Sequence, residues 1–206
     1  MAFRDLLAGA TEVDEAISVN HDMLNYSNSI DHKAVVFNKI KETDGLRSAL
    51  NVLARDRLCD VFDVNPGELI DILEWAMKNP VEQKNVEVEN APVFENTQNV
   101  VDLTKLPIPW HYQEDRGRYQ SASVIIAQYD GIRNMSFHRQ FLRDKDHCVS
   151  RFVPRHLRTM TDKARANGDE IDIGVVNGPD ATVLLAAAMS FTHNLDELNV
   201  AAALHQ

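Results

Sequence analysis

The sequence predicts a mixed α/β (α+β) fold, in which a helix-rich first part precedes a second part built from strands and helices. Three observations support this prediction. "NPGELIDILEWAMKNP" repeats apolar residues at helical spacing, and "SASVIIAQYD" and "IRNMSFHRQF" have the composition of neighbouring strands. "VPRHLRTMTDKARANG" has the pattern of a helix that is closed by Gly168. At 206 residues, the chain is long enough for one large domain or two small ones.

Three short elements are predicted before residue 60. "RDLLAG" has the pattern of a first helix that ends at Gly9. "KAVVFNKI" predicts a strand with Val35, Val36 and Phe37 as its apolar centre. "GLRSALNVLARDR" has a helical composition, and its three leucines at positions 46, 50 and 53 lie nearly in line on one helix face.

The helix in "NPGELIDILEWAMKNP" carries the clearest start and stop signals in the chain. Asn65 is a favourable N-cap, Pro66 suits the first helical position and Glu68 follows the cap by three residues. The helix is expected to stop before Asn79-Pro80. Its apolar residues form one stripe that is expected to be buried: Leu69, Ile72, Leu73, Ala76 and Met77.

The second part of the chain follows a connector that is rich in amides and contains three prolines, "EQKNVEVENAPVFENTQNVVDLTKLPIPWHYQEDRGRYQ". We place a domain boundary near residue 105, which gives domains at 1–104 and 105–206. After the two neighbouring strands and the helix that ends at Gly168, "IDIGVVNG" predicts a strand and "PDATVLLAAAM" a helix. "LDELNVAAALHQ" begins a further element.

Composition excludes several classes of protein. The net charge of −10 argues against a nucleic-acid partner, which requires a basic surface. No apolar run approaches the roughly 20 residues that cross a membrane. The N-terminus lacks the apolar core of a signal peptide. Cys59 and Cys148 match no zinc or redox spacing and are expected to be reduced thiols, so we expect a cytoplasmic protein.

The stretch "GIRNMSFHRQ" carries the densest set of hydrogen-bonding side chains. On a strand, Asn134, Ser136 and His138 share one face, with Arg139 opposite unless the chain bends. If His138 and Arg139 are close, the guanidinium is expected to lower the pKa of the imidazole. The polar face suits either an edge strand that faces water or one wall of a binding site.

Asn134, His156 and Glu197 are candidate ligands of a hard cation. An amide oxygen, an imidazole and a carboxylate suit Mg²⁺ or Mn²⁺ better than a soft metal. Their spacing in the sequence alone does not indicate that they lie close together in the fold. His156 could equally be a capping or surface residue of its helix, and Glu197 a first-turn glutamate that the helix dipole favours. Arg139 could pair with any of the 31 acidic residues.

Four segments in the same order resemble the UbiD-type carboxy-lyases, the decarboxylases that depend on prenylated FMN. These segments are "VDLTKLPIPWHYQEDRGRYQSAS", "RNMSFHRQ", "FVPRHLRTM" and "DATVLLAAAMSFTHNLDELNVAAAL". The resemblance is collinear over most of the chain and strong from Val101 onward. It implies an N-terminal α/β domain at 1–104, followed at 105–206 by part of a split β-barrel that binds the flavin.

The resemblance also implies a cofactor site. By position, Asn134, His156 and Glu197 correspond to the ligands of a divalent cation, usually Mn²⁺ and otherwise Mg²⁺, which links the cofactor phosphate to the protein. Ser136 and Arg155 fall where the family contacts the phosphate and the flavin of prenylated FMN. These roles are expected from the resemblance alone.

A monovalent cation, usually K⁺, is held near the cofactor in the family. The matching positions here are Ile132, Ala186, Ala187 and Met189, together with Glu197. Some members have tryptophan at the position of Ile132. Backbone carbonyls hold this ion, so that change of side chain need not alter the site.

Arg139 matches the arginine of the family's catalytic Glu-Arg-Glu network. A bend at the end of its strand would turn the guanidinium toward the carboxylate of a substrate, for which its charge and forked geometry are suited. The implied reaction is reversible decarboxylation of an α,β-unsaturated or aromatic carboxylic acid. In that reaction, the cofactor provides the difficult chemistry and a glutamic acid returns a proton.

Family members are about twice as long as this chain, so we expect the two glutamates of the network to lie beyond Gln206. The chain alone is then expected to be inactive. A second polypeptide or a missing C-terminal region would complete the barrel, and the complete protein is expected to be a homo-oligomer. The alternative is a non-catalytic flavin- or phosphate-binding module, or a scaffold subunit, of the same fold.

Overall fold

The computed structural model describes residues 2–189 and 195–205. Within these residues, the strands are β1 (Thr11–Ile17), β2 (Val35–Ile40), β3 (Ser48–Leu50), β4 (Tyr119–Gln120), β5 (Val124–Tyr129), β6 (Ile132–Phe137), β7 (Gln140–Leu142), β8 (Cys148–Ser150) and β9 (Ile173–Val176). The α-helices are α1 (Asp22–Ser29), α2 (Arg55–Phe62), α3 (Glu68–Lys78), α4 (His156–Asn167), α5 (Ala181–Ala188) and α6 (Glu197–Leu204). Short 3₁₀ turns cover Phe3–Leu7, Val88–Asn90, Pro92–Phe94 and Leu103–Lys105.

The first sheet has the order β1-β2-β3, and its central strand is the predicted strand in "KAVVFNKI". β1 and β2 are parallel, whereas β3 runs antiparallel to β2. Val35 and Phe37 are fully buried in the core of this sheet, and the Tyr26 ring of α1 meets the Phe37 ring edge-on at 5.6 Å. This three-stranded unit is therefore an α/β layer, as predicted for the first part of the chain.

Two antiparallel sheets follow, with the orders β4-β7-β8 and β6-β5-β9. Among the described residues, neither sheet closes into a barrel. The mixed α/β class is confirmed, while the split barrel and the division at residue 105 stay predictions.

The β5–β6 hairpin is fixed by a two-residue turn. Asp130 and Gly131 both have positive φ, at 52° and 74°, which is the conformation that a tight hairpin turn of the Asp-Gly type requires. The turn pairs Tyr129 with Ile132 and so places Asn134 opposite Ala127 in the register. Because side chains alternate along a strand, this register decides which residues of β6 face the helices.

The largest core lies where α3, α5 and α6 pack beside β5 and β6. It contains Leu69 and Ala76 of α3, Leu184 of α5, Val200 of α6 and Met135 of β6. α5 and α6 are apolar on nearly all sides, which suits helices that are enclosed by neighbours rather than laid on a surface. This packing holds the start of α6 directly against β6.

Two helix predictions differ from the structure. "GLRSALNVLARDR" is wrong as a single helix, because Ser48–Leu50 pairs with β2 as an edge strand and α2 begins only at Arg55. Asn51 lies in the left-handed region at φ 59° and separates the two elements. Strand pairing with β2 outweighs the local helical preference. "RDLLAG" forms a short 3₁₀ turn rather than an α-helix.

α3 is confirmed, with three corrections. It begins at Glu68 rather than at Pro66, and Gly67 rather than Asn65 is the N-cap. The Asn65 amide still donates to Glu68 Oε2 at 2.8 Å. Met77, which was expected to be buried, is 37% exposed because it lies at the edge of the apolar stripe.

The predicted helix closed by Gly168 is confirmed as α4. Gly168 has φ 78° and its amide donates to the Ala164 and Arg165 carbonyls, which is the usual glycine stop. Among the residues that the structure describes, no helix combines the length and the apolar character that a membrane crossing requires.

Arg118 holds the irregular segment before β4 in place. Its guanidinium donates to the carbonyl oxygens of Ile108 at 2.8 Å, Thr104 at 2.9 Å and Leu106 at 2.5 Å. Partial burial lowers the pKa of Arg118, while Glu42 and Asp102 oppose that effect. One side chain thus replaces the backbone partners that this segment lacks.

Replacing Arg118 by Met is expected to lower the free energy of unfolding by about 2 kcal/mol, because three carbonyls lose a charged donor while part of the side chain remains solvated. Urea denaturation followed by circular dichroism measures this loss. Arg151→Met, at an exposed position, is the matched control. Equal unfolding midpoints for both variants would show that the three hydrogen bonds contribute nothing to stability.

Candidate functional site

A cavity of about 640 Å³ opens between β6, the beginning of α4, the end of α5 and the beginning of α6. Most of the residues that the sequence singled out border it: Asn134, Ser136, His138, Arg155, His156, Ala187, Met189 and Glu197. These residues come from four separate elements, so the fold brings together groups that lie up to 63 positions apart.

Glu197, the first residue of α6, joins that helix to β6. Its side chain is buried, with 3% exposed. Its Oε1 accepts a hydrogen bond from Asn134 Nδ2 at 2.7 Å, and its Oε2 accepts one from the Met135 amide at 3.0 Å. Beside it, Arg133 Nε donates to Asp196 at 3.0 Å. The start of α6 is therefore fixed to the strand by neighbouring polar contacts.

Burial raises the pKa of Glu197, and the negative charge of Asp196 adds to the increase. Hydrogen bonds from its own amide, from Met135 and from Asn134 oppose this change. These donors are neutral, so they solvate the carboxylate without balancing its charge. A cation beside this carboxylate would lower the electrostatic cost of burying it.

The polar face of β6 forms a directed chain of hydrogen bonds. Ser136 Oγ donates to Asn134 Oδ1 at 3.1 Å and lies 3.0 Å from His138 Nε2. Because the single hydroxyl hydrogen goes to Asn134, His138 Nε2–H donates to Ser136. The prediction that these three side chains share one face is confirmed.

The pKa of His138 is lowered, but the predicted cause was wrong. Burial lowers it, with no contribution from the Arg139 guanidinium. The imidazole packs edge-on against the Phe152 ring, with centroids 4.9 Å apart. Burial thus favours the neutral form of the His138 imidazole, which borders the cavity.

Arg139 lies outside the residues that border the cavity. It occupies the bend between β6 and β7, and its guanidinium donates to Asp115 Oδ1 at 2.6 Å. The Arg139 Cζ atom lies 3.8 Å from the centre of the Tyr119 ring, so the guanidinium is also stacked on that face. The hydrogen bond from Arg139 lowers the pKa of Asp115. Sequence reasoning did not identify Asp115 as the acidic partner.

Asn134, His156 and Glu197 all border the cavity, although their spacing did not predict proximity. Asn134 and Glu197 are hydrogen-bonded to each other, and His156 begins α4 on the opposite side. One amide oxygen, one imidazole and one buried carboxylate form a donor set that suits a hard divalent cation. The three residues therefore fit such an ion chemically.

Arg155 and Ser136 provide groups that suit a phosphate. Arg155 is the N-cap residue of α4, so its guanidinium belongs to a helix start, where the helix dipole favours an anion. Ser136 offers a hydroxyl on the facing strand. The cavity thus carries phosphate-binding groups close to the candidate metal ligands.

The candidate ligands of a monovalent cation are only partly brought together. Ala187, Met189 and Glu197 border the cavity. Ala186 is buried behind them, and its carbonyl accepts the Met189 amide at 3.2 Å. Ile132 lies beside the hairpin turn, is 48% exposed and does not border the cavity.

A second acidic cluster, in the β7–β8 turn, was not anticipated. Asp144, Asp146 and His147 place one donor atom each within 4.8 Å of one another, at an exposed or half-exposed position. Hydrogen bonding and the charges of both aspartates raise the pKa of His147, and the pKa of Asp144 falls to about 2. The sequence "DKDH" is the only signal for this cluster, and such acidic turns are common on protein surfaces.

Comparison with family models matches residues 84–206 to the 3-octaprenyl-4-hydroxybenzoate carboxy-lyase Rift-related domain, UbiD. Among curated proteins, the anhydromevalonate phosphate decarboxylase of Methanothermobacter thermautotrophicus is 30% identical over 204 residues, which are 96% of this chain and 46% of that protein. The enzyme of the same name from Methanosarcina mazei is 33% identical over 146 residues, 70% of this chain and 34% of that protein. The chain spans about half the length, or less, of these curated relatives.

Among solved structures, an evolved dimeric form of the UbiD-class enzyme HmfF from Pelotomaculum thermopropionicum, in complex with prenylated FMN, matches with a TM-score of 0.92. It is 27% identical, and the match covers 98% of this chain and 50% of that chain. Vanillic acid decarboxylase of Sedimentibacter hydroxybenzoicus, at 20% identity and a TM-score of 0.89, shares the fold over 98% of this chain and 48% of that chain.

Replacing Glu197 by Ala is expected to lower the free energy of unfolding by about 3 kcal/mol, because the buried Asn134 and Met135 donors lose their acceptor. Glu197→Gln removes the buried charge and keeps one acceptor, but its NH₂ group faces the second donor, so its loss is expected to be smaller, about 2 kcal/mol. Urea denaturation in the presence of EDTA measures both variants without bound metal.

The matched control is Glu170→Ala, at an exposed carboxylate, which is expected to leave the unfolding midpoint unchanged. Equal losses for Glu197→Ala and Glu197→Gln would contradict this account, since they would show that the charge, and not the acceptor geometry, stabilises the link between β6 and α6.

Proposed function

Because the chain belongs to the UbiD family of carboxy-lyases, we propose that it forms the N-terminal part of a prenylated-FMN-dependent decarboxylase. The proposed reaction is the reversible decarboxylation of an α,β-unsaturated or aromatic carboxylic acid. The observation that carries the proposal is the cavity at which Asn134, His156 and Glu197 meet Arg155. Three residues that suit a hard cation and an arginine that suits a phosphate border this cavity together, which supports the proposal.

In this proposal, Asn134, His156 and Glu197 bind Mn²⁺ or Mg²⁺, which links the phosphate of prenylated FMN to the protein. Arg155, at the start of α4, and Ser136 would hold that phosphate. Prenylated FMN, when bound, supplies the electron sink that loss of CO₂ requires. The chain's own residues position the cofactor and keep its phosphate in a site lined by charged and polar groups.

The proposed K⁺ site lies on the α5 side of the same cavity. Its proposed ligands are the Glu197 carboxylate and the backbone carbonyls of Ala186, Ala187, Met189 and Ile132. Three of these residues border the cavity and so support the proposed site: Ala187, Met189 and Glu197. Ile132 does not border it. Glu197 would then contact both cations, which matches its buried charge.

We assign Arg139 as the catalytic residue that contacts the substrate carboxylate. Its present partner, Asp115, already satisfies one edge of the guanidinium. A substrate carboxylate would therefore have to replace Asp115, which is an exchange of one carboxylate for another. The side chain is 54% exposed, so such an exchange requires no opening of the core.

Two classes of carboxylic acid are candidate substrates, phosphorylated acids and aromatic acids. The curated relatives are named for anhydromevalonate phosphate, a phosphorylated acid, and vanillic acid is the substrate named for one structural neighbour at 20% identity. The proposed activity requires, besides this chain, the region that its longer relatives have and that this chain does not match. In this proposal, the same polypeptide or a second polypeptide provides that region. The complete protein forms a homo-oligomer and acts in the cytoplasm.

A non-catalytic flavin- or phosphate-binding module is the second candidate. One observation favours it: the metal and phosphate groups border the cavity, whereas Arg139 lies outside it and is neutralised by Asp115. The two proposals differ in what removal of Arg139 should do, so activity and cofactor binding have to be measured separately.

Mn²⁺ binding tests the metal site directly. The purified chain, loaded with FMN, is expected to bind one Mn²⁺ in electron paramagnetic resonance titrations. Glu197→Gln is expected to weaken this binding at least tenfold, because the anionic ligand is lost while the shape is kept. Glu170→Gln is the matched surface control. Identical titrations for both variants would exclude Glu197 as a ligand.

Arg139→Ala tests catalysis. In the complete protein, purified from its source with any completing polypeptide, this change is expected to reduce decarboxylation at least 1,000-fold while FMN remains bound. Anhydromevalonate phosphate and vanillic acid are the substrates to assay, by chromatography of the products. Arg143→Ala, in an exposed ion pair, is the control. Flavin binding without turnover in the unsubstituted protein would favour the binding module.

A further inference from the structure

A second cavity, of about 420 Å³, lies away from the candidate cofactor site. It is enclosed by three parts of the chain: the N-terminal 3₁₀ turn at Phe3–Leu7, the edge strand β3 with the neighbouring Val36 of β2, and Gly178 in the turn before α5. None of the residues that border it also borders the cavity beside Glu197. The two cavities are therefore separate sites.

The polar groups of this cavity are all suited to an anion. Arg4, Arg47 and the Ser48 hydroxyl border it, and no carboxylate does. Within residues 2–189 and 195–205, neither guanidinium forms a hydrogen bond or an ion pair with another side chain. The nearest acidic residue in sequence, Asp5, accepts the Ala2 amide at 2.6 Å. Two uncompensated positive charges at one cavity are notable in a chain of net charge −10.

The rest of the cavity wall is apolar. Phe3 and Leu7 of the N-terminal turn face Val36 and Ala49 of the first sheet. Gly178 adopts φ 65°, and a Cβ at this position would lie 3.5 Å from the Phe3 ring. An occupant would therefore have both arginines and hydrocarbon side chains within reach.

The cationic groups are carried by elements that are anchored elsewhere. Arg57 of α2 donates from Nη2 to the Ala8 carbonyl at 2.7 Å and from Nε to the Leu6 carbonyl at 3.2 Å, which fixes the turn that carries Arg4. Ser48 pairs with Phe37 of β2, which fixes the strand that follows Arg47. The backbone next to both arginines is thus fixed before any ligand arrives, while their exposed side chains are ordered on binding.

We propose that this cavity binds a small phosphate monoester, with its phosphoryl group between Arg4 and Arg47 and its short apolar stem against Phe3, Leu7 and Val36. Arginine forks match phosphate oxygens geometrically, and the Ser48 hydroxyl supplies one further donor. Inorganic phosphate shares the charged half of this recognition but lacks the stem. The site is independent of the proposed decarboxylase activity, since it shares no residue with that cavity.

The occupant would bridge distant parts of the sequence. Arg4 and Arg47 belong to the first sheet and its N-terminal turn, whereas Gly178 precedes α5 of the helical core. A ligand in this position contacts both parts and therefore stabilises them jointly. Binding is expected to raise the melting temperature of the chain, by mass action on the folded state.

The test is calorimetric titration of the purified chain with n-butyl phosphate and, separately, with inorganic phosphate. n-Butyl phosphate is expected to bind at least fivefold more tightly, because its alkyl stem contacts the apolar wall. Arg4→Ala and Arg47→Ala are each expected to weaken binding of both probes at least tenfold. Arg55 is exposed and does not border the cavity. Arg55→Ala removes the same charge, so it is the matched control and is expected to leave both affinities unchanged.

Two further variants separate the possible sources of binding. Ala49→Phe fills the apolar wall and is expected to abolish the preference for n-butyl phosphate while inorganic phosphate still binds. Arg155→Ala removes the arginine of the cofactor cavity and is expected to leave the binding that depends on Arg4 and Arg47 unchanged. Amide chemical shifts at Ser48 and Ala49 are expected to move in the unsubstituted chain, which keeps the test informative if an arginine variant folds poorly.

Unchanged affinities in Arg4→Ala and Arg47→Ala would overturn the proposal. Loss of binding in Arg155→Ala, or shifts confined to Arg155 and His156, would do the same by assigning the phosphate to the cofactor cavity. Equal affinity for both probes would overturn the apolar half of the site. None of these results depends on whether the protein is a decarboxylase, because no turnover is measured.

Discussion

The hydrogen bonds of the Glu197 carboxylate are the constraint on which the candidate site depends. They join the first residue of α6 to Asn134 and Met135 of β6, across 63 and 62 positions of sequence respectively. A carboxylate that is 3% exposed can be tolerated only if its lone pairs are satisfied, so the strand and the helix have to meet in one register. The Asp-Gly turn at Asp130 and Gly131 sets that register from the other end of β6.

Local signals predicted the parts of the fold that local geometry determines. Gly168 ends α4 through its positive φ, and the apolar pattern of "KAVVFNKI" gives the central strand of the first sheet. The segment at Ser48–Leu50 could not be predicted in this way, because its strand conformation comes from hydrogen bonds to β2 and not from its own helical composition. The prediction that Met77 is buried was wrong for a related reason, because the width of the packing partner decides how much of the apolar stripe of α3 is covered.

The candidate site shows the same division. Residue type alone suggested that Asn134, His156 and Glu197 suit a hard cation, and the family resemblance predicted that they act together. Their proximity arises from tertiary packing of β6, α4 and α6, to which no spacing in the sequence corresponds. Asp115 was missed as the partner of Arg139 because any of 31 acidic residues could have filled that role.

The two classes of site residue differ in how they are held, and this difference has a functional consequence. Asn134 and Glu197 are fixed by buried hydrogen bonds between secondary structure elements, which water cannot easily replace. Arg139 is held by a half-exposed ion pair and a stacked ring, contacts that solvent and incoming anions can exchange. Asn134 and Glu197, two of the proposed metal ligands, are therefore held in place without a cation, whereas the Arg139 guanidinium can exchange its partner. This combination of a rigid half and an exchangeable half is what the proposed function would require, since a cofactor has to be held permanently and a substrate carboxylate only transiently.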